Sequence, residues 1–422
     1  MVKNNIISVY CFGKEIGKVG LDENLNRSYF QYDPTFIVEN KRLNLFPQTG
    51  IIKPISQVQV FSKFNDDVFK GLPPQIADSL PDSFGNIIFK TWLESQQKGL
   101  KRINVLQQLA YIGNRGMGAL EYKPCLDFPS NSTIDVKEIA EVLKQVLTNK
   151  QNTLNPKLDT QGLINIFKMG TSVGGARPKI LISEHKVTGK IIPGDINYSD
   201  NYRHLIVKLD LDEVAYPREL IEYCYYLTAL ECGIRMMPSK MIDNKHFATE
   251  RFDRNNGKKI HTLTATGLTG WSYKNSEVSS YENLFELALF LKIPYTEIQE
   301  LFTRMIFNIV FGNSDDHLKN HSFIYDLETD KWHLSPAYDL TYSLNPMMNY
   351  THVSRALSVN SKRIDIRLSD VMITAEKYTI KNPTGIIAKV QTAIEVLEKS
   401  MHENNIPIQI IKSIKSDFTI LN

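Results

Sequence analysis

The sequence predicts an α+β protein in which a strand-rich N-terminal part precedes a mainly helical C-terminal part. Short strand-like runs separated by turns fill residues 6 to 45, whereas apolar residues recur at helical intervals from Ser279 onward. At 422 residues, with 42% hydrophobic and 23% charged content, the chain is long enough for two or three domains with ample core. We find no internal repeat in it.

Composition argues against several functional classes. The formal net charge is only +3 and no long basic run occurs, so the sequence carries no footprint of direct nucleic-acid binding. No apolar stretch of about 18 residues is present, which argues against a membrane span. The four cysteines form no C-x-x-C pair and are expected to be reduced core residues. We therefore expect a soluble, cytoplasmic protein.

The N-terminal part is predicted to be a small mixed module without chemistry of its own. A hairpin turn is expected at Gly13-Lys14, between two apolar runs, and the sequence Gly71-Leu-Pro-Pro74 breaks the chain before helical patterns begin. The expected strands lie at residues 6–12, 15–21, 29–32 and 119–122, and the expected helices at 75–94 and 106–111.

The middle of the chain contains a glycine-rich stretch, Thr171-Ser-Val-Gly-Gly-Ala-Arg-Pro-Lys179, before a strand at 180–183. Two adjacent glycines allow a backbone to approach a phosphate closely and to point its N–H groups at it, although the same pair also occurs in plain turns. A Walker A pattern is absent. Upstream we expect a linker at 128–133 and helices at 134–147 and 162–167.

A lysine ends the next predicted strand, Leu205-Ile-Val-Lys208. Such a lysine can reach nucleotide phosphates, as the strand lysine of a protein kinase does. The helix predicted over 213–232 carries Glu219 and Glu222, either of which can orient Lys208, and Glu222 is preferred. Residues 247–254 are predicted to form a strand beneath a nucleotide.

The C-terminal part is predicted to be helical, apart from one hairpin. Capping boxes are expected at Ser279-x-x-Glu282 and at Thr296-x-x-Gln299, each before an apolar helical pattern. Strands at 321–325 and 331–334 flank a polar turn and form the hairpin. Residues 341–369 are expected to be irregular and 383–417 largely helical.

The chemistry is expected in the stretch Asn313-Ser-Asp-Asp-His-Leu-Lys-Asn320. Asp315 and Asn320 stand in the D-x-x-x-x-N spacing of a protein-kinase catalytic loop, in which the aspartate accepts a hydroxyl proton and the asparagine holds magnesium. Asp316 is the rival base one position further on. Because the hairpin returns the chain to its start, Asp339 can face Asn320 and supply the carboxylate that magnesium prefers. The spacing alone also fits an ordinary solvated turn.

Together these motifs resemble the HipA family of serine/threonine kinases, the toxins of HipBA-type toxin–antitoxin modules. The resemblance covers nearly the whole chain. It rests on the residues from Gly71 to Gly85, the glycine-rich stretch, Glu250-Arg-Phe-Asp-Arg254, the Asn313–Asn320 stretch and Ser335-Pro-Ala-Tyr-Asp339. It implies a two-lobed, protein-kinase-like fold. The implied domains are an N-terminal module at 1–127, a nucleotide-binding lobe at 128–254 and a helical catalytic lobe at 255–422.

The resemblance also implies a role for each site residue. Asp315 is the expected catalytic base, Asn320 and Asp339 are the expected magnesium ligands, and Ser172 is the expected site of inactivating autophosphorylation. A phosphate on Ser172 would place negative charge where ATP must bind. The residues expected to bind ATP are Val173, Gly174, Gly175, Ala176, Arg177, Lys179, Lys208, Glu250, Phe252, His317 and Lys319.

The function implied is that of an ATP- and magnesium-dependent protein kinase that inhibits growth until a small helix-turn-helix antitoxin neutralises it. DNA would be contacted only through that antitoxin. A translation factor such as an aminoacyl-tRNA synthetase is one protein substrate suggested by analogy. Two alternatives stay open, namely a kinase with a small-molecule acceptor and a catalytically idle corepressor that binds the antitoxin.

Overall fold

The computed structural model describes residues 6–25, 27–40, 44–47, 52–81, 104–125, 135–137, 139–141, 143–144, 177–194, 199–212 and 214–422. The linker expected at 128–133, the helix expected at 162–167 and residues 171–176 of the glycine-rich stretch lie outside the described residues. The described residues between 135 and 144 are largely helical, with Val136, Ile139 and Leu143 buried, as the periodicity predicts.

The regular elements follow one another along the chain in this order. The strands are β1 Ile6–Cys11, β2 Lys14–Asp22, β3 Arg27–Tyr32, β4 Gln59–Phe61, β5 Leu120–Lys123, β6 Lys179–His185, β7 Ile191–Pro193, β8 Tyr202–Lys208, β9 Ser239–Ile242, β10 His246–Glu250, β11 Arg254–Asn255, β12 Lys258–Lys259, β13 His261–Thr264, β14 Ser322–Asp326 and β15 Lys331–Leu334. The α-helices are α1 Pro34–Glu39, α2 Pro74–Ala77, α3 Val105–Ile112, α4 Arg218–Glu231, α5 Ala265–Thr269, α6 Tyr281–Phe290, α7 Tyr295–Val310, α8 Leu368–Lys377, α9 Pro383–Glu403 and α10 Ile408–Ser416.

These elements divide into two compact units. Unit 1 comprises residues 1–213 and 248–262, and unit 2 comprises residues 214–247 and 263–422. Unit 1 is therefore discontinuous in sequence. The three-domain division with boundaries after residues 127 and 254 stays a prediction.

The first sheet of unit 1 is an antiparallel sheet in the order β4-β3-β2-β1-β5. Its inward positions alternate with exposed ones, and Val9, Val19 and Phe30 are fully buried. The turn between β1 and β2 consists of Phe12 and Gly13, both at positive φ (51° and 76°), which is the geometry of a tight hairpin turn. The expected hairpin is thus confirmed, with its turn one residue earlier than expected.

One prediction for the N-terminal part is wrong. Residues 34–39 form helix α1 instead of continuing the strand pattern. The side chain of Asp33 accepts a hydrogen bond from the backbone N–H of Phe36, and Pro34 occupies the first helical turn. Both are helix-start signals that the apolar pattern concealed.

A buried ionic cluster joins two distant stretches of unit 1. The carboxylate of Asp253 accepts hydrogen bonds from Arg251 Nε at 2.9 Å, from Arg254 Nη1 at 2.6 Å and from the backbone N–H of Gly118 at 2.7 Å. Both arginines also donate to the carbonyl of Gly116 at 3.0 Å. Burial alone would raise the pKa of Asp253, but the two guanidinium groups outweigh it and hold that pKa below its ordinary value.

Gly118 is required at this junction. Its φ is +74°, and a Cβ atom there would lie 2.8 Å from the carbonyl oxygen of Thr262. The segment around Gly118 is therefore shaped by its contact with residues 251–262, which belong to the same unit.

Unit 2 is mainly helical and also contains the predicted hairpin. β14 and β15 pair antiparallel from Phe323 opposite Leu334 to Asp326 opposite Lys331, which confirms that prediction. An aromatic core surrounds the C-terminal end of α7: Tyr225, Phe307 and Phe311 pack against one another, and the hydroxyl of Tyr225 donates to the carbonyl of Phe311 at 2.8 Å.

Both predicted capping boxes are wrong. Helix α6 is capped by Ser280, whose side chain accepts from the backbone N–H of Asn283, and Glu282 instead accepts from the backbone N–H of Asn360 and from the hydroxyl of Thr374. Helix α7 begins after Pro294 without a side-chain cap. Within the described part of the chain, no helix combines the length and the apolar character needed to cross a bilayer.

Candidate active site

The loop that was expected to carry the chemistry begins where helix α7 ends. Phe311 is the last residue of that helix turn, and Gly312 at φ +69° redirects the chain. A 3₁₀ turn from Leu318 to Asn320 then leads into β14. The loop is anchored on one side by a buried helix and on the other by a sheet strand.

Asp316 is a structural residue of this loop. It is 1% exposed, and its Oδ2 accepts hydrogen bonds from the hydroxyl of Tyr281 at 2.6 Å and from Arg355 Nη2 at 2.9 Å. Burial, together with the neighbouring carboxylate, raises the pKa of Tyr281 well above its ordinary value, so this tyrosine stays protonated and remains a donor. An acceptor hydroxyl has no free approach to the Asp316 carboxylate.

Asp315, by contrast, is exposed. The two adjacent aspartates therefore differ in their surroundings: hydrogen-bond donors enclose Asp316, whereas Asp315 is exposed to solvent. Arg355 also donates to the carbonyl of Asn313 at 2.7 Å, which fixes the loop just before Asp315. A proton acceptor must be reachable by the group that it deprotonates, so the exposure favours Asp315 over Asp316 as the base.

The structure brings Asn320 and Asp339 to the walls of one small cavity. The amide N of Asn320 donates to the carbonyl of Asp315 at 2.9 Å, and its side-chain carbonyl oxygen accepts no hydrogen bond from the described residues. The hydroxyl of Tyr338 donates to the carbonyl of Lys319 at 2.8 Å. A hydrogen bond therefore joins the neighbour of Asp339 to the neighbour of Asn320. The hairpin returns the chain to its start, as the sequence analysis predicted.

Asp339 has a backbone φ of +54°, a conformation that few non-glycine residues adopt. Such conformations persist where the surrounding structure enforces them, and they concentrate at functional sites. The carbonyl of Asp339 accepts from the side-chain amide of Asn313 at 3.3 Å.

One carboxylate and one amide oxygen fit magnesium better than a metal whose ligands all come from protein side chains. Among the described residues, no three His, Cys, Asp or Glu side chains group together as metal ligands. Magnesium is usually held by one or two carboxylates, with phosphate and water oxygens completing its shell. Asp339 and the Asn320 carbonyl oxygen are the residues that would hold it.

The other loop residues expected to bind ATP lie beside an aromatic ring. The ring of His317 lies 4.9 Å from that of Tyr273, and the ammonium of Lys319 lies 5.9 Å from the same ring. Both side chains are half-buried. Tyr273 was not anticipated, because nothing in its local sequence marks it as a neighbour of the loop.

Unit 1 places two of the expected phosphate-binding lysines side by side. Lys179 on β6 is the direct antiparallel partner of Lys208 on β8, and they are 4% and 7% exposed. Directly opposed residues of an antiparallel pair project from the same face of the sheet. The pairing therefore brings the positive charges of Lys179 and Lys208 to one face of the sheet.

The remaining site residues of unit 1 are only partly described. Arg177 is half-buried, and Glu250 pairs with Arg203 at 3.6 Å. Phe252 is half-buried and lies between the two arginines of the Asp253 cluster in sequence. Ser172 and Val173 to Ala176 lie outside the described residues, and pairing of Lys208 with Glu219 or Glu222 stays a prediction.

Two deeply buried histidines lead us to expect that acid destabilises the chain. His321 follows the loop and His261 lies in unit 1, and burial lowers the pKa of each from 6.5 to about 4. Between these values the unfolded chain binds protons that the folded chain does not, so stability is full above pH 6.5 and falls as the pH drops towards 4.

We expect the free energy of unfolding to decrease by up to about 3 kcal/mol per histidine over this range. Denaturant titrations at pH 7.5 and 4.5 will measure it. His321→Gln should flatten the dependence, whereas the exposed control His402→Gln should leave it unchanged. Identical pH profiles for both variants would show that His321 does not cause the pH dependence of stability.

Comparisons with known proteins identify the class of protein that carries this fold and loop. The family model of the HipA-like C-terminal domain matches residues 171–401, and that of the HipA N-terminal domain matches residues 7–123. The first match alone covers more than half of the 422 residues. The chain belongs to the HipA family.

Among solved structures, HipA of Shewanella oneidensis MR-1, in a complex with HipB and operator DNA, matches 97% of this chain and 95% of its own. The TM-score is 0.63 at 18% identity, which supports a shared fold. The Helicobacter pylori proinflammatory kinase CtkA matches 51% of this chain and 85% of its own, with a TM-score of 0.35 and 12% identity. A search of curated protein sequences finds no match. The expected α+β, HipA-like fold is confirmed.

Proposed function

We propose that this protein is an ATP- and magnesium-dependent serine/threonine protein kinase that acts as the toxin of a toxin–antitoxin pair. The observation that carries the proposal is the loop geometry. Asp315 is exposed within a loop that the buried Asp316 anchors, and Asn320 and Asp339 line one cavity. A catalytically idle protein would not need this combination.

In this proposal each residue has a defined task. Asp315 takes the proton from the attacking serine or threonine hydroxyl, and Lys179, Lys208 and the glycine-rich residues 173–177 bind the phosphates of ATP. Glu250 and Phe252 contact the adenine. Magnesium held by Asn320 and Asp339 would neutralise charge on the transferring phosphoryl group. His317 and Lys319 contribute further contacts to the nucleotide.

Family membership supports a small helix-turn-helix antitoxin as the partner. In the Shewanella structure HipA is assembled with HipB and operator DNA. The net charge of +3 supports DNA contact through such a partner rather than by this chain alone. The substrate is proposed to be a cytoplasmic protein.

Incubation of the purified chain with ATP and magnesium tests the proposal. We expect phosphate to appear on Ser172, at a rate that rises with protein concentration because transfer occurs between molecules. Site-resolved phosphopeptide mapping will measure it, with a magnesium-free reaction and Ser172→Ala as controls. Phosphate mainly at Thr171 would remove the proposed self-inactivation but not the kinase. Transfer of label to a lysate metabolite, and never to protein, would favour the small-molecule alternative instead.

A further inference from the structure

We infer that Glu300 and Arg304 of helix α7 are positioning residues for Asp339, because they fix the backbone of the Leu334–Ala337 segment that leads to it. This inference rests on the proposed role of Asp339 in holding magnesium. Neither residue lies in the loop motif, and both precede it on the helix.

The first part of the argument is the alignment of three charged residues on α7. Glu297, Glu300 and Arg304 are spaced by three and four residues, which places them on one face of the helix. Arg304 donates through Nε to Glu300 Oε1 at 3.1 Å and through Nη2 to the carbonyl of Ser335 at 2.6 Å. Glu297 accepts from the backbone N–H of Leu334 at 2.6 Å.

Arg235 completes this ionic network. It precedes Met236, which forms an isolated parallel β-bridge with Ala337. Its Nε donates to Glu300 Oε2 at 2.5 Å, and its Nη2 donates to the carbonyl of Leu334 at 3.2 Å. Its own carbonyl accepts from the backbone N–H of Ala337 at 2.7 Å. Glu300 therefore holds two guanidinium groups, and both of them bind the segment before Asp339.

The two central residues of the network, Arg304 and Glu300, are largely withdrawn from solvent. The side chains of Arg304 and Glu300 are 3% and 10% exposed. Burial lowers the pKa of Arg304, and the carboxylate of Glu300 opposes that shift. A buried charge of this kind persists only with a matched partner, so the two side chains hold each other in one geometry.

The segment is thus fixed at four backbone atoms: the N–H and carbonyl of Leu334, the carbonyl of Ser335 and the N–H of Ala337. Asp339 follows two residues later, at a positive φ that the surroundings must enforce. Groups that orient a metal ligand typically change metal affinity by about 10- to 100-fold when they are removed.

The test compares nucleotide binding by the full chain with and without magnesium, using calorimetry with ATP. In Arg304→Met we expect the magnesium-dependent gain in ATP affinity to fall by about tenfold or more, with metal-free affinity changed by less than about twofold. Glu300→Gln should act in the same direction. Arg304→Lys, which keeps one donor and the charge, should recover part of the gain.

Lys389→Met is the matched control. Lys389 lines the same cleft as Arg235 and Glu300, and within the described part of the chain it forms no ion pair. Removing it deletes a cation without touching the 334–337 segment. Equal losses of metal-free and magnesium-dependent ATP affinity in Arg304→Met and Arg304→Lys would overturn the inference and point to a general folding role. No loss of ATP affinity in either variant would also overturn it.

A readout without nucleotide separates this inference from the proposed function. Amide hydrogen exchange of the nucleotide-free chain should accelerate in peptides covering 334–340 for Arg304→Met, and not in β14. If the unsubstituted chain binds no ATP with magnesium but this local acceleration occurs, the kinase assignment fails while the positioning of the segment stands. Unchanged exchange in 334–340 would contradict the positioning itself.

Discussion

Asp315→Asn is expected to remove phosphoryl transfer while leaving the fold intact. The substitution deletes the proposed proton acceptor at an exposed position, so little packing is lost. General-base catalysis contributes typically about 10²- to 10⁴-fold, and the initial rate should fall by that factor. In cells, growth arrest on expression of the chain alone should be relieved by the same change.

Asp316→Asn is the informative comparison for this prediction. The same isosteric change one residue later falls on a carboxylate that binds Tyr281 and Arg355 in the interior. It should therefore lower the free energy of unfolding, an effect that Asp315→Asn should not show. Full turnover in Asp315→Asn would show that another group takes the proton, and persistent growth arrest in that variant would point to binding rather than catalysis.

Asp253→Asn is expected to cause the largest loss of stability among the single substitutions considered. The change would leave Arg251 and Arg254 buried without their shared counter-charge. Removing one partner of a buried ion pair typically costs about 3–5 kcal/mol. Chemical denaturation monitored by circular dichroism will measure the loss.

The matched control for that substitution is Asp200→Asn, which makes the same chemical change at an exposed position of unit 1. Surface substitutions of this kind usually change stability by within about 0.5 kcal/mol. The loss in Asp253→Asn should be accompanied by weaker ATP binding, because the cluster flanks Phe252. A stability equal to that of the Asp200 variant would show that the stability of the unit does not depend on the charge of Asp253.

Local patterns in the sequence predicted the elements that short-range physics determines. The β14–β15 hairpin follows from two apolar runs around a polar turn, and α9 and α10 follow from sustained helical periodicity. The predicted cap of α7 failed because that helix begins after Pro294 without a side-chain cap, and the cap of α6 failed because two candidate serines are adjacent. Ser279 and Ser280 are indistinguishable by type, and the choice depends on the contacts of Glu282 with Asn360 and Thr374.

Long-range partners could not be predicted from the sequence. The D-x-x-x-x-N register favoured Asp315, but the enclosure of Asp316 depends on Arg355, 39 residues later. Arg304 likewise fits an ordinary helix arginine until the hairpin brings the carbonyl of Ser335 to it. A single chain contains no signal for such pairs, because each residue type is unremarkable in its own neighbourhood.

The discontinuity of unit 1 has a consequence for biosynthesis. Residues 248–262 complete a unit that otherwise ends at residue 213, and they supply the arginines that satisfy the carbonyl of Gly116. A nascent chain emerging from the ribosome therefore cannot finish the unit that it began first until the intervening 214–247 has also been made. Domains generally fold as units during translation. Lys179 and Lys208, the lysines of unit 1 that we propose bind phosphate, would thus reach their final environment only after synthesis of unit 2 has begun.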